Sequence, residues 1–290
     1  MRICRFNENR LGVVEQDKVY DVSAVLDALP ALKWPVAPGD LLIERLPMLQ
    51  EAILAAKKDA RTFALQEVKL LSPVATPSKI IAAPLNYKLH VEESAADAQI
   101  HNNVHNPGYE GFASPVAKFG VFLKNATGLV GPSEGVVINF PGRRNDHEVE
   151  LAVVIGKKCK NVKAADARSV IAGYCIGLDM TVRGTEDRSY RKSADTYSVL
   201  GPYLVTADEV PNPGELAFSI HVNGEVRQNA NTRDLITGID ELIEVASNVY
   251  TLYPGDVIMT GTPEGVASIQ PGDVMTARIE QIGEMEVRIR

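Results

Sequence analysis

Apolar and polar residues alternate through positions 2–6, 11–15 and 18–21, which predicts three short strands joined by polar turns. Helical spacing follows over 23–32 and 41–56, so residues 1–72 read as a small mixed α/β domain. The apolar run 68–71 leads into Pro73-Val74-Ala75-Thr76-Pro77-Ser78, whose prolines and small side chains predict a connection to a second domain spanning 73–290. Beyond Lys79 the pattern changes to many short β-like runs. Val222-Asn223-Gly224-Glu225-Val226 predicts a two-residue hairpin, and Pro-Gly-Asp turns recur at 254–256 and 271–273. One long helix interrupts them, with Ile239, Leu242, Ile243, Ala246, Val249 and Tyr250 at helical spacing after Gly238. The expected fold class is α+β, mostly β, the second domain being a roll, sandwich or barrel-like sheet. There is no βαβ rhythm and no glycine-rich phosphate loop, which argues against a dinucleotide enzyme.

Two of these apolar strands carry acids. Glu148 and Glu150 stand two apart at the head of 148–155, and positions i and i+2 share one face of a strand. Both faces then turn apolar, Ala152 and Val154 on one and Val149, Leu151, Val153 and Ile155 on the other. Two anions at the rim of a buried strand need a counter-charge, and carboxylate oxygens suit a hard divalent cation. The second acid-bearing strand, 171–181, holds Asp179, with Gly177, Cys175 and Gly173 on its face to admit close approach. Asp179 is either a third ligand or a capping acid. Three carboxylates leave about three positions of an octahedral ion for water and for a chelating keto acid.

Other chemistry lies on both sides of these strands. If residues from Tyr87 onward make a helical turn, His90 and Glu93 sit at i and i+3, and a carboxylate-held imidazole can activate water near neutral pH. The polar segment 94–117 contains Gly, Pro, His101 and His105 and reads as a lid; neither histidine is assigned as a ligand. Lys192 and Lys124 offer positive charge for an anionic substrate, although most lysines are simply solvated. Thr262, in the turn 260–265, offers a hydroxyl beside free N–H groups.

Composition narrows the partners. With 290 residues, 23% charged, and a formal net charge of -7, the chain has no basic patch for nucleic acid or an anionic membrane. No apolar run approaches the roughly 18 residues of a membrane span, and a cytoplasmic protein is expected. Cys4, Cys159 and Cys175 are odd in number and lack metal-site spacing, so reduced, buried thiols are expected.

Taken in order, several motifs together resemble the fumarylacetoacetate hydrolase family: Asn86-Tyr87 leading to His90-x-x-Glu93; Phe122-Leu123-Lys124; Glu148-Val149-Glu150-Leu151-Ala152; Gly177-Leu178-Asp179-Met180-Thr181; Lys192-Ser193 with Asp195-Thr196; Asn231-Thr232-Arg233-Asp234; and Pro254-Gly255-Asp256 through Gly261-Thr262-Pro263. The resemblance covers nearly everything from Lys79 onward. It implies a mostly β catalytic domain in which Glu148, Glu150 and Asp179 hold Mg²⁺ or Mn²⁺, with Ca²⁺ a third candidate. His90 and Glu93 would then be the water-activating dyad, and Lys192 would stabilise developing negative charge. Tyr87, Lys124 and Thr262 would contact a small keto-acid substrate, and the protein would be a homodimer. Departures from the family pattern are the long 94–120 segment, Asn125 where many members have proline, and Val266-Ala267-Ser268 after the Thr-Pro turn.

A chelated 2-oxo acid polarises its ketone, and a carbanion formed at the next carbon is held as an enolate. Water attack on a second carbonyl gives hydrolysis of an acylpyruvate or fumarylpyruvate; loss of carbon dioxide gives a decarboxylase; proton movement alone gives an isomerase of a 2-hydroxymuconate-type acid. Hydrolysis is the expectation, because a dyad has most to do when water attacks. The rival from another class is a non-catalytic paralogue that only binds metal and carboxylate.

Overall fold

The computed structural model describes residues 1–101 and 108–290; His105 and its immediate neighbours in the expected lid lie outside them. The fold is α+β with strands predominating in the second half of the chain. One open sheet of twelve strands follows the order Thr62–Ala64, Lys18–Asp21, Arg10–Glu15, Arg2–Phe6, Ser198–Thr206, Ile171–Asp179, Val149–Ile155, Val257–Met259, Ile80–Ala82 and Phe122–Lys124, with two short strands off this path. Its two edges do not meet, so the barrel-like option does not hold. Arg2–Phe6 pairs antiparallel with Ser198–Thr206, and the sheet is therefore continuous from residues before 73 to residues after it.

Both faces of this sheet are covered. On one, Leu151, Val153 and Ile176 share a core with Phe218, Ile220 and Met275 of a second, four-stranded antiparallel sheet. On the other, Ala152, Val154 and Cys175 pack with Ile43, Leu46 and Ile53 of the helix Leu41–Lys57. Alternation along Val149–Ile155 thus divides its side chains between two cores, which is why the strand is apolar on both sides.

Local chemistry accounts for most boundaries. Asp40 caps Leu41–Lys57 by accepting from Leu42 N and Ile43 N. Its other oxygen accepts from Ala75 N at 2.8 Å and Thr76 N at 3.1 Å, while Asp256 accepts from Ser78 Oγ at 2.6 Å and Lys79 N at 3.0 Å. The 73–78 connection is thereby held against its surroundings at both ends. Asn223 and Gly224 adopt φ of 52° and 85°, the pair a two-residue hairpin demands. Ile239–Val249 buries Ile239, Leu242, Ile243 and Ala246 as its spacing predicts, but the stripe stops there: Val249 is exposed and Tyr250 is the extended residue that ends the helix. The helix expected over 23–32 is shorter: a 3-10 segment, Ser23–Ala28, ends at Leu29, which is extended as the residue before Pro30 tends to be.

The small residues on the face of Asp179 do two different things. A methyl group on Gly173 would lie 2.2 Å from the carbonyl oxygen of Val205, a backbone atom that cannot step aside. On Gly177 it would meet Ala152 Cβ at 3.3 Å, a tight contact but far looser than that at Gly173, and Met259 Cε at 3.5 Å, the movable end of a flexible side chain. We expect Gly173→Ala to destabilise the fold by about 2–3 kcal/mol and Gly177→Ala by less than half of that. Urea unfolding checks this, and equal midpoints for the two variants would contradict it.

Candidate active site

Antiparallel pairing assembles the acids. Glu150 lies opposite Gly177, so no side chain crowds it from the neighbouring strand, and Asp179 N donates to Glu148 O at 2.9 Å. The register brings Glu148, Glu150 and Asp179 together, all buried, with one oxygen of each within 4.8 Å of the others.

Their counter-charges are distributed unevenly. Lys192 Nζ donates to Glu148 at 2.6 Å, to Asp179 at 2.8 Å and to Thr181 Oγ1 at 2.7 Å. Arg183 donates to Glu148 at 3.0 Å and to Asp146 at 2.8 Å. Burial alone would raise the Glu148 pKa, but Lys192, Arg183 and His90 together overcome it and hold the carboxyl far below the usual range. Glu150 fares differently. Among the described residues its hydrogen bond is from Gly261 N at 2.6 Å, and burial, reinforced by the charges of Asp179 and Glu148, pushes its pKa well up. Among the described residues Glu150 has no cation paired with it. Three hard oxygen donors with one left uncompensated is a set that fits a divalent ion.

The His–Glu pair reaches the cavity of Glu148 and Glu150 through His90. The helix Lys88–Ala96 places His90 Nδ1 2.8 Å from Glu93 Oε2, and Glu93 Oε1 accepts from Gly265 N at 2.9 Å. Engagement of Nδ1 leaves Nε2 as the nitrogen for a water molecule. Asn86 secures the helix entrance, donating to Thr237 O at 2.9 Å and Thr260 O at 2.8 Å. His90, Glu148, Glu150, Lys192 and Thr262 all line one cavity.

Three residues expected to contact substrate are otherwise engaged. Lys124 is fully buried behind Asp179, donating to its Oδ1 and to the carbonyls of Lys192 and Tyr197. All three ammonium hydrogens are used, and burial lowers its pKa despite Asp179. Its place is to hold Asp179. Tyr87 packs edge-on against Phe218 in the core, 6.0 Å between ring centres, and is not among the residues lining the cavity. Thr262 does reach the cavity, but its hydroxyl donates to Val149 O at 2.9 Å and accepts from Gln228 Nε2 at 2.8 Å. No hydroxyl hydrogen remains for a carboxylate.

Sequence reasoning passed over Arg183, Arg188 and Arg191, which also line the cavity. The signal was Arg183 just after the Asp179 strand and, beyond Glu186 and Asp187, Arg188 and Arg191 three apart. His147 was passed over too: it lies buried beside Glu148, its Nδ1 3.3 Å from Gln228 Oε1, and burial lowers its pKa.

The profile of the fumarylacetoacetate (FAA) hydrolase C-terminal domain matches residues 79–290. The chain belongs to the fumarylacetoacetate hydrolase family. Among curated relatives in this family, maleylpyruvate hydrolase of Aquipseudomonas alcaligenes is 55% identical over 290 residues, covering 100% of this chain and 99% of that protein. A mitochondrial oxaloacetate tautomerase of Homo sapiens is 38% identical over 230 residues, covering 75% and 68%. A solved family structure, maleylpyruvate hydrolase from Sphingobium sp. SYK-6 in complex with manganese(II) and pyruvate, superposes with a TM-score of 0.81 at 40% identity, covering 100% of this chain and 98% of that one.

Proposed function

We propose that the protein is a divalent-metal-dependent hydrolase that cleaves the carbon–carbon bond between the two carbonyls of an acylpyruvate. The observation that carries this reading is the buried trio Glu148, Glu150 and Asp179, of which Glu148 and Glu150 line one cavity with His90, itself held by Glu93. The names of the relatives support it: maleylpyruvate is an acylpyruvate, and manganese with pyruvate occupies the Sphingobium enzyme.

Glu148, Glu150 and Asp179 would hold the ion. When bound it supplies Lewis-acid polarisation of the 2-oxo acid end of the substrate. His90 takes a proton from water through Nε2, and the hydroxide adds to the far carbonyl carbon. Glu93 orients the ring and stabilises the imidazolium that forms. Lys192, which unlike Lys124 lines the cavity but whose ammonium hydrogens go to Glu148, Asp179 and Thr181, offsets through its charge the negative charge that builds on oxygen. The bond between that carbon and the methylene then breaks, and its electron pair goes to the pyruvate half. One proton returns to the methylene carbon, so an acylpyruvate and one water give a carboxylate, a proton and pyruvate. Decarboxylation or isomerisation would need no attacking water and would leave the dyad without this task.

Mn²⁺ or Mg²⁺ is the proposed ion, with Ca²⁺ next, and a homodimer in the cytoplasm is the proposed state. Exposed Leu32, Trp34, Val36 and Met48 give a dimer apolar contact positions. The cysteines are all free, in keeping with a reducing compartment. No helix among the described residues is long and apolar enough to cross a membrane.

The test is a product assay on purified protein with acetylpyruvate, fumarylpyruvate, maleylpyruvate, oxaloacetate and a 2-hydroxymuconate-type acid, with Mn²⁺ or Mg²⁺ and with chelator. Pyruvate plus a carboxylic acid, formed only with metal, is the expected result. Carbon dioxide or an isomer without cleavage would contradict the hydrolase reading.

A further inference from the structure

Resting on that reading, the same cavity contains two guanidinium groups for which the chemistry described above has no use. Arg188 and Arg191 lie three apart on the helical turn Arg188–Arg191, on one face of it, and both line the cavity that holds Glu148, Glu150 and His90. Arg191 is buried, and its Nε donates to Glu186 O at 2.9 Å. Arg188 lies over the Phe119 ring, 4.8 Å from its centre. Among the described residues, no acceptor or carboxylate pairs with the terminal nitrogens of Arg191 or with any nitrogen of Arg188. Other cations of the cavity are committed: Arg183 to Asp146 and Glu148, Lys192 to Glu148 and Asp179. Two like charges, one buried and one half-exposed, with no carboxylate paired to either among the described residues, are unfavourable together, and burial depresses the pKa of both. An anion between them removes that penalty.

We propose that Arg188 and Arg191 form a second anion subsite, which takes the carboxylate at the far end of a dicarboxylic acylpyruvate and selects such substrates over neutral acylpyruvates. The first carboxylate of the substrate, next to the 2-oxo group, belongs with the ion that Glu148, Glu150 and Asp179 would hold. A planar guanidinium presents a fork of donors that matches a carboxylate, so two of them can hold one end of a chain in a fixed direction. That anchoring sets which carbonyl faces His90.

The experiment compares kcat/KM for fumarylpyruvate and for acetylpyruvate in wild type, Arg188→Gln, Arg188→Lys and Arg191→Gln, all metal-loaded. The ratio of the two values should fall about ten- to a hundredfold in the glutamine variants, with Arg188→Lys intermediate. Equal losses on both substrates would overturn the subsite. Calorimetric binding of maleate and of pyruvate to the same metal-loaded proteins gives an independent reading that needs no turnover. Maleate affinity should drop at least about tenfold in Arg188→Gln and more than pyruvate affinity does; a pyruvate loss as large as the maleate loss would overturn the proposal. If wild type cleaves neither acylpyruvate yet the maleate difference holds, the hydrolase reading fails and the subsite stands. Thermal melts identify a misfolded Arg191 variant, in which case half-exposed Arg188 decides alone.

Discussion

Glu150→Gln is expected to weaken metal binding by at least about 100-fold, and turnover at limiting metal with it, while leaving the metal-free protein at least as stable as wild type. Glutamine keeps the shape and can still accept from Gly261 N, but it removes the one carboxylate in the trio that no protein cation neutralises. Losing an outer partner of a metal ligand typically weakens affinity about 10- to 100-fold, so losing a ligand charge should weaken Mn²⁺ binding by at least about 100-fold. Apparent activity at micromolar metal should fall in step. Stability should move the other way, because Glu150 faces Asp179 and Glu148 in a buried site and neutralising it relieves like-charge repulsion. Mn²⁺ titration followed by electron paramagnetic resonance, with a melt in chelator, separates the two effects. A Glu150→Gln protein that binds Mn²⁺ like wild type would remove the carboxylate trio from the account.

His90→Ala carries the second large effect. Among the described residues lining the cavity, His90 is the imidazole, and it has an orienting carboxylate at 2.8 Å. General-base assistance is worth about 10²- to 10⁴-fold, and kcat should drop within that range while Mn²⁺ affinity changes far less. Glu93→Gln should lose less, since the ring remains but is no longer charge-stabilised. It also keeps an oxygen for Gly265 N, so the turn that Glu93 holds need not open. Unchanged kcat in His90→Ala would make the pair an ordinary contact at the cavity wall.

How much of this the sequence disclosed follows from the reach of each interaction. Glu148 and Glu150 were legible because a two-residue period is enough to put them on one face. The His90–Glu93 contact was legible for the same kind of reason, since i and i+3 meet on a helix. Asp179 could be suspected from its small neighbours, yet its register with Glu148 is a property of strand pairing. Lys124 shows where local rules stop: its three bonds go to Asp179, Lys192 and Tyr197, between 55 and 73 residues away, and nothing near Phe122 announces them. Thr262 was read as a donor to substrate, but its hydrogen goes to Val149 O across 113 residues. Arg188 and Arg191 look like solvated charges in sequence because burial cannot be read from a polar helical turn. On the scale of the fold, alternation identified strands and one apolar stripe identified the helix Ile239–Val249. The openness of the main sheet depends instead on which edges find each other.

Metal-free wild-type protein titrated with Mn²⁺, with pyruvate release from maleylpyruvate read at every point, tests the central claim most directly. The account predicts no release without metal, a rate that rises in proportion to occupancy, and a plateau at one ion per chain. Full-rate release from the metal-free protein, or a rate indifferent to occupancy, would contradict it.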